Sequence, residues 1–182
     1  QEDVGECLLV GTDLWQSAPD KVLGMTRQWA DDNPSSVSAM VRALDRACQW
    51  IDDNRDQAAE LLAETIRVPR ETVLPALTGS FTYRRGCTAS SIPDMLVFHR
   101  YLANYPWSEH GSWFLQQMER WQWLRNTADM QQTIASCYRA DLYCRSLNRE
   151  CPAADFTGLT FTHEDTWQLG DTTMAPNAFL YI

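Results

Sequence analysis

The chain has 182 residues, 45% of them hydrophobic and 21% charged, which suits one domain of ordinary size with its own core, and its eight tryptophans exclude a disordered segment. Its net charge of −9, from 15 Lys and Arg against 24 Asp and Glu, argues against nucleic acid or anionic membranes as partners, since both require clustered cations. No run of about eighteen apolar residues occurs, so membrane insertion is not expected. Gln1-Glu2-Asp3 carries no initiator Met and no leader pattern. The expected location is therefore periplasmic if a leader has been removed and cytoplasmic otherwise.

Taken in chain order, the elements are mostly helices. Ser17-Ala18-Pro19-Asp20 combines an N-cap serine, a first-turn proline and an early acid, which predicts a helix over 18–31 with Val22, Met25 and Trp29 on one face. Asn33-Pro34 repeats the start signal, and Val37, Met40, Val41, Leu44, Cys48 and Ile51 continue at helical spacing until Asp52-Asp53-Asn54. Two shorter helices are expected over 55–65 and 70–78, the latter ending at Gly79. Residues 80–92 break the helical period and read as a loop with at most one short strand. Pro93-Asp94 opens a helix to about Asn104, before Pro106. Ser108 caps the next, through Leu124, and Thr127 starts a helical region to Arg149 with an interruption near Arg139-Ala140. After Pro152 the chain reads as an irregular tail, 157–182 in particular, with "AFLYI" as a terminal strand. The expected organisation is one domain over 1–182.

Chemistry-bearing patterns are sparse. His99, His110 and His163 lie apart and outside any metal motif, and no nucleophile elbow, phosphate loop or dinucleotide glycine pattern occurs. No catalytic residue, metal site or cofactor is therefore expected. Asp31-Asp32 and Asp52-Asp53 are explained by helix ends. Cys137, Cys144 and Cys151 are spaced by seven, which on one continuous helix would separate neighbouring Cα atoms by about 10.5 Å. A disulfide needs roughly 4.4 to 6.8 Å, so buried free thiols are the expected reading, with a redox or metal role as the alternative.

Two features invite a binding reading. Lys21 is the only lysine in the chain, and in the predicted helix it stands in the first turn, where the macrodipole disfavours a cation. Either it is a solvated helix residue, or its ammonium joins free backbone N–H groups in a small-anion site, whose ligand would offset the repulsion. The aromatic series Trp107, Trp113, Phe114, Trp121 and Trp123 reads as core, or as an interface through which the chain self-associates.

The segment "TDLWQSAPDKVLGMTRQWADDNPSSVSAMVRALDRACQWIDD" resembles the C-terminal half of the nitrate and bicarbonate solute-binding proteins of ABC transporters. That family's pattern runs approximately D-I-W, H-P-E-K-V-L-G, W-A, N-P and a helix with A-L-x-x-A-x-x-W. "LTGSFTY", "FHRYLANYPWSEHGSWFLQQMERW" and "YRADLYCRSL" follow in the family's order, so the resemblance covers Thr12 to Phe156. It implies a mainly α chain: a compact multi-helix domain with at most one or two short strands, corresponding to the C-terminal part of a two-lobed α/β solute-binding fold. It also implies a non-catalytic module for a small oxyanion (nitrate, nitrite or bicarbonate), with Lys21 as the anion contact and a first lobe or partner protein supplying the rest. Asp20 stands where the family has Glu, and Ala18 where it has His. The rival expectation is a helical oligomerising module that kept the scaffold and lost the ligand.

Overall fold

The computed structural model describes residues 5–7, 10–11, 19–82, 88, 90–92, 94–124, 129–152, 167–169 and 172–174. Within them the chain is mainly helical, as expected, and strands are confined to two antiparallel pairs. It divides into two compact units. One holds the described residues of 1–18, 46–103 and 157–181, and the other holds those of 19–45 and 104–156.

Helix α1 spans Arg27–Asp32 rather than 18–31. Residues 19–26 carry no regular structure. Three causes converge on this shorter helix. Gly24 disfavours helix by about 1 kcal/mol relative to Ala. Val22, Leu23 and Met25 stay exposed, at 79%, 44% and 36%, so no packing rewards a helix there. The hydroxyl of Thr26 accepts the Trp29 N–H at 3.3 Å, which fixes the start at the next residue.

Helix α2, Pro34–Asp53, follows at once, with Pro34 in the first position where its missing N–H costs nothing. Both helices end on asparagine. The Asn33 side-chain amide donates to the Trp29 carbonyl and that of Asn54 to the Trp50 carbonyl, each at 2.9 Å. These bonds satisfy carbonyls that a helix end leaves open.

The first unit is built on helices α3, Arg55–Ile66, and α4, Arg70–Thr78. Ala58 and Ala59 are buried against Val73 and Leu77, with Ile51, Leu62, Val68, Leu74 and Phe98 around them. Two adjacent alanines give α3 a flat face onto which α4 can approach closely. Arg67, in the left-handed conformation at φ 58°, ends α3, and Val68 N–H returns to the Ala63 carbonyl at 3.2 Å. Gly79 ends α4 at φ 72°. Beyond it, strand β1 (Ser80–Phe81) pairs antiparallel with β2 (Ser90–Ser91), and the Ile92 N–H donates to the Gly79 carbonyl at 2.8 Å. A Cβ on Gly79 would lie 1.8 Å from the Ile92 carbonyl oxygen, so only glycine closes this turn.

The helix expected over 94–104 does not form. There is a single 3-10 turn, Arg100–Leu102, in which Tyr101 and Leu102 take the left-handed conformation at φ 57° and 58°. A distant carboxylate accounts for this, as described below.

The second unit contains helix α5 (Ser108–Arg120), α6 (Met130–Cys137) and α7 (Ala140–Leu147). Ser108 is the first residue of α5, and Trp107 stands at the cap. The helix stops at Arg120 instead of Leu124, and Gln122 turns the chain at φ 60°. Gly111 lets α5 pack tightly, since a Cβ there would lie 2.7 Å from the Tyr138 ring and 3.1 Å from Ile134. The expected break near Arg139-Ala140 separates α6 from α7.

The end of α7 at Leu147 overturns the free-thiol reading for Cys144 and Cys151, whereas Cys137 is a free thiol as expected, though exposed rather than buried. Asn148 adopts φ 52° and turns the chain back, so the Cα atoms of Cys144 and Cys151 come within 5.6 Å and the two form a disulfide. The 10.5 Å estimate holds only for an unbroken helix. In the tail, strand β3 (Trp167–Leu169) pairs antiparallel with β4 (Thr172–Met174). The proposed strand "AFLYI" lies outside the described residues, as do Ser17 and Ala18.

Candidate anion-binding segment and its surroundings

Lys21 lies in the unstructured run before α1, six residues ahead of its first residue, and not in a helical first turn. The helix-dipole argument built on its position therefore falls. Its ammonium is 86% exposed and pairs with the carboxylate of Asp20 at 2.9 Å, itself 78% exposed. A pair so open to water holds together weakly, on the order of 0–1 kcal/mol. The cation is thus available for exchange onto another anion. Around it, Val22, Leu23, Met25 and Trp29 expose apolar surface on the same short stretch.

The aromatic series divides by depth. Trp107 is buried at 6% exposure, edge-on to Tyr105 with centroids 4.7 Å apart, and Tyr105 in turn meets Tyr143 at 5.7 Å. Trp113 and Phe114 pack edge to face at 5.0 Å. Trp121 and Trp123, past the end of α5, are 54% and 68% exposed and lie 5.1 Å apart.

Reading the sequence missed two buried carboxylates on α2. Asp52 accepts three backbone N–H groups: Phe98 at 3.2 Å, His99 at 2.7 Å and Arg100 at 2.9 Å. It also pairs with Arg55, whose guanidinium donates to the carbonyls of Leu77 at 3.1 Å and Leu96 at 2.9 Å and lies over the Phe98 ring. Burial pushes the Asp52 carboxyl up, but the three N–H groups and the Arg55 charge outweigh it and hold it below the usual carboxylate range. This clasp engages the amides that a helix over 94–104 would use.

Asp45, 4% exposed, accepts the Tyr143 hydroxyl at 3.1 Å and pairs with Arg149 at 3.2 Å. The available signal was phase. Residues 37, 41, 45, 48 and 52 form one helical stripe, so an acid at 45 or 52 stands among apolar neighbours and needs a partner. Among the described residues, no group of three or more His, Cys, Asp or Glu could hold a metal ion.

Comparison with known proteins shows what the chain is similar to. The profile of the NMT1-like family matches residues 1–67. The nitrate/nitrite binding protein NrtA of Synechocystis is 28% identical over 184 residues, covering 90% of this chain and 41% of the relative. NrtA of Synechococcus elongatus is 29% identical, covering 89% and 40%. The Synechocystis nitrate import ATP-binding protein NrtC is 28% identical, covering 91% and 27%. The crystal structure of the periplasmic nitrate-binding protein NrtA from Synechocystis superposes with a TM-score of 0.71 at 27% identity, over 75% of this chain and 37% of that one.

The chain is thus related to the solute-binding proteins of nitrate-type ABC transport. It spans about two-fifths of the length of the NrtA proteins it matches. Among the described residues, no helix is long and apolar enough to cross a membrane.

Proposed function

We propose that the chain is a non-catalytic module for a small oxyanion of the nitrate, nitrite or bicarbonate type, with Lys21 as its charged contact. The observation that carries this reading is the similarity to NrtA along 90% of the chain, which includes the Pro19–Gly24 motif around Lys21. The exposed, weakly held Lys21–Asp20 pair supports it, because an incoming anion displaces Asp20 at little cost. In this reading the remaining contacts come from a first lobe or a partner protein, and the chain supplies one side of the site.

Calorimetric titration with nitrate, nitrite and bicarbonate tests the proposal. The expected result is saturable heat with at least one anion, weakened about 10- to 100-fold by Lys21→Ala, the loss of one charge-assisted contact. No heat from any of the three, or unchanged binding in Lys21→Ala, overturns it.

A second reading, a helical self-associating module, rests on Trp121 and Trp123. Exposed paired tryptophans are the side chains most enriched where protein surfaces meet. Phe114 is also exposed and packs on the half-buried Trp113, whereas Trp107 belongs to the core. Light scattering over a concentration series decides this reading. Mass should rise with concentration and fall back in a Trp121→Ser/Trp123→Ser variant, and a strict monomer throughout removes it.

A further inference from the structure

The disulfide at the end of α7 stands beside an ion pair, and the two share one turn. Cys144 is buried at 6% exposure, while Cys151 is exposed. Between them, Asn148 turns the chain, and the backbone N–H of Arg149 donates to the carbonyl of Cys144 itself at 3.0 Å. From this turn the Arg149 guanidinium reaches Asp45 on α2 at 3.2 Å. The same carboxylate accepts the Tyr143 hydroxyl, one residue before Cys144. One residue further along α7 than Arg145, the Ser146 hydroxyl meets that of Ser38 at 3.0 Å. Residues 143–151 thus form a short staple whose covalent bond and whose charge contact fasten the same turn.

We propose that this is a redox-operated latch, in which the Cys144–Cys151 bond holds Arg149 on the buried carboxylate of Asp45 and its reduction releases it. Arg149 is half exposed and sits on a turn just past a helix end, so without the cross-link its long side chain has little else to hold it. Asp45, by contrast, stays buried and keeps Tyr143. The expected reductant is a dithiol. Its thiolate attacks the exposed Cys151 sulfur, the S–S bond breaks, and Cys144 leaves as a thiolate that takes up a proton. The second thiol of the reductant then displaces Cys151 from the mixed disulfide, and that thiolate is protonated in turn. The protein gains two electrons and two protons, and the dithiol ends as a disulfide.

The inference is independent of the anion reading and is tested on the full chain. Alkylation without reductant followed by mass spectrometry should leave Cys144 and Cys151 unmodified. Amide hydrogen exchange is then measured with and without dithiothreitol. Reduction should speed exchange of the Arg149 amide about tenfold or more, Cys151→Ser should exchange fast in both conditions, and Arg149→Gln should lose less stability on reduction than the parent chain. Alkylation of both cysteines in the unreduced protein, unchanged Arg149 exchange on reduction, or an equal response to dithiothreitol in Cys151→Ser would each overturn it.

Discussion

Asp52 shows how one side chain can set the course of a distant segment. With its carboxylate 2% exposed and five groups directed at it, it has no neutral substitute of equal reach. Asp52→Asn keeps the shape but leaves Arg55 largely buried without its counter-charge, and should destabilise the chain by about 3 kcal/mol in urea unfolding. The depressed ionisation of Asp52 gives stability that is complete above its unfolded value and lost as pH falls through the lower folded one. His110 acts in a different window. Burial lowers its imidazole to about 4, against a partial opposing effect of Glu109. The unfolded chain therefore takes up a proton that the folded chain refuses, and stability should decline as pH falls from about 6.5 toward 4. Comparing urea midpoints at pH 7 and pH 5 isolates this effect, because Asp52 remains ionised in both states across that range. In His110→Gln the slope between the two pH values should flatten, and an unchanged slope would assign it to other groups.

At the scale of elements, agreement between sequence and structure follows the range of the controlling contact. Helices α2, α3 and α4 begin and end where Pro34, Asn54, Pro69 and Gly79 indicate, since each cap acts within a few residues. Gly79 is the sharpest case. Gly79→Ala should cost more than about 2 kcal/mol, combining a strained left-handed conformation with a clash against the Ile92 carbonyl. Thermal denaturation checks it; a near-neutral result would mean that Ile92 can move away from Gly79 at the end of the β1–β2 pair. By contrast, the segment 94–104 carries a fair helix pattern but loses its amides to an acid more than forty residues earlier, which no local window can show. Helix α1 is short for a related reason. Its upstream residues have helical spacing but no surface to pack on, and spacing without burial supplies too little to hold a helix. The disulfide was hidden likewise, since the turn at Asn148 depends on a left-handed conformation at a residue that is not glycine.

For the whole molecule, the ordered motifs from Thr12 to Phe156 made the relationship to nitrate-type solute-binding proteins legible, and the superposition on NrtA agrees with it. The position of Lys21 in that pattern could be read directly, whereas its exposure and its pairing with Asp20 could not, because they depend on how the chain around it folds. The acidic balance of −9 also bears on any anion site, since the protein's own field opposes a negative ligand and leaves local cations to offset it. Salt should therefore affect the calorimetric titration through two opposing effects, screening of that overall field and competition at Lys21. The solitary, open lysine has a further use. Reductive methylation with a carbon-13 reagent keeps the positive charge and would mark a single side chain in the protein, giving one NMR resonance apart from any α-amino group. Titrating nitrate against that one signal would report, at atomic resolution and without mutation, whether the ammonium leaves Asp20.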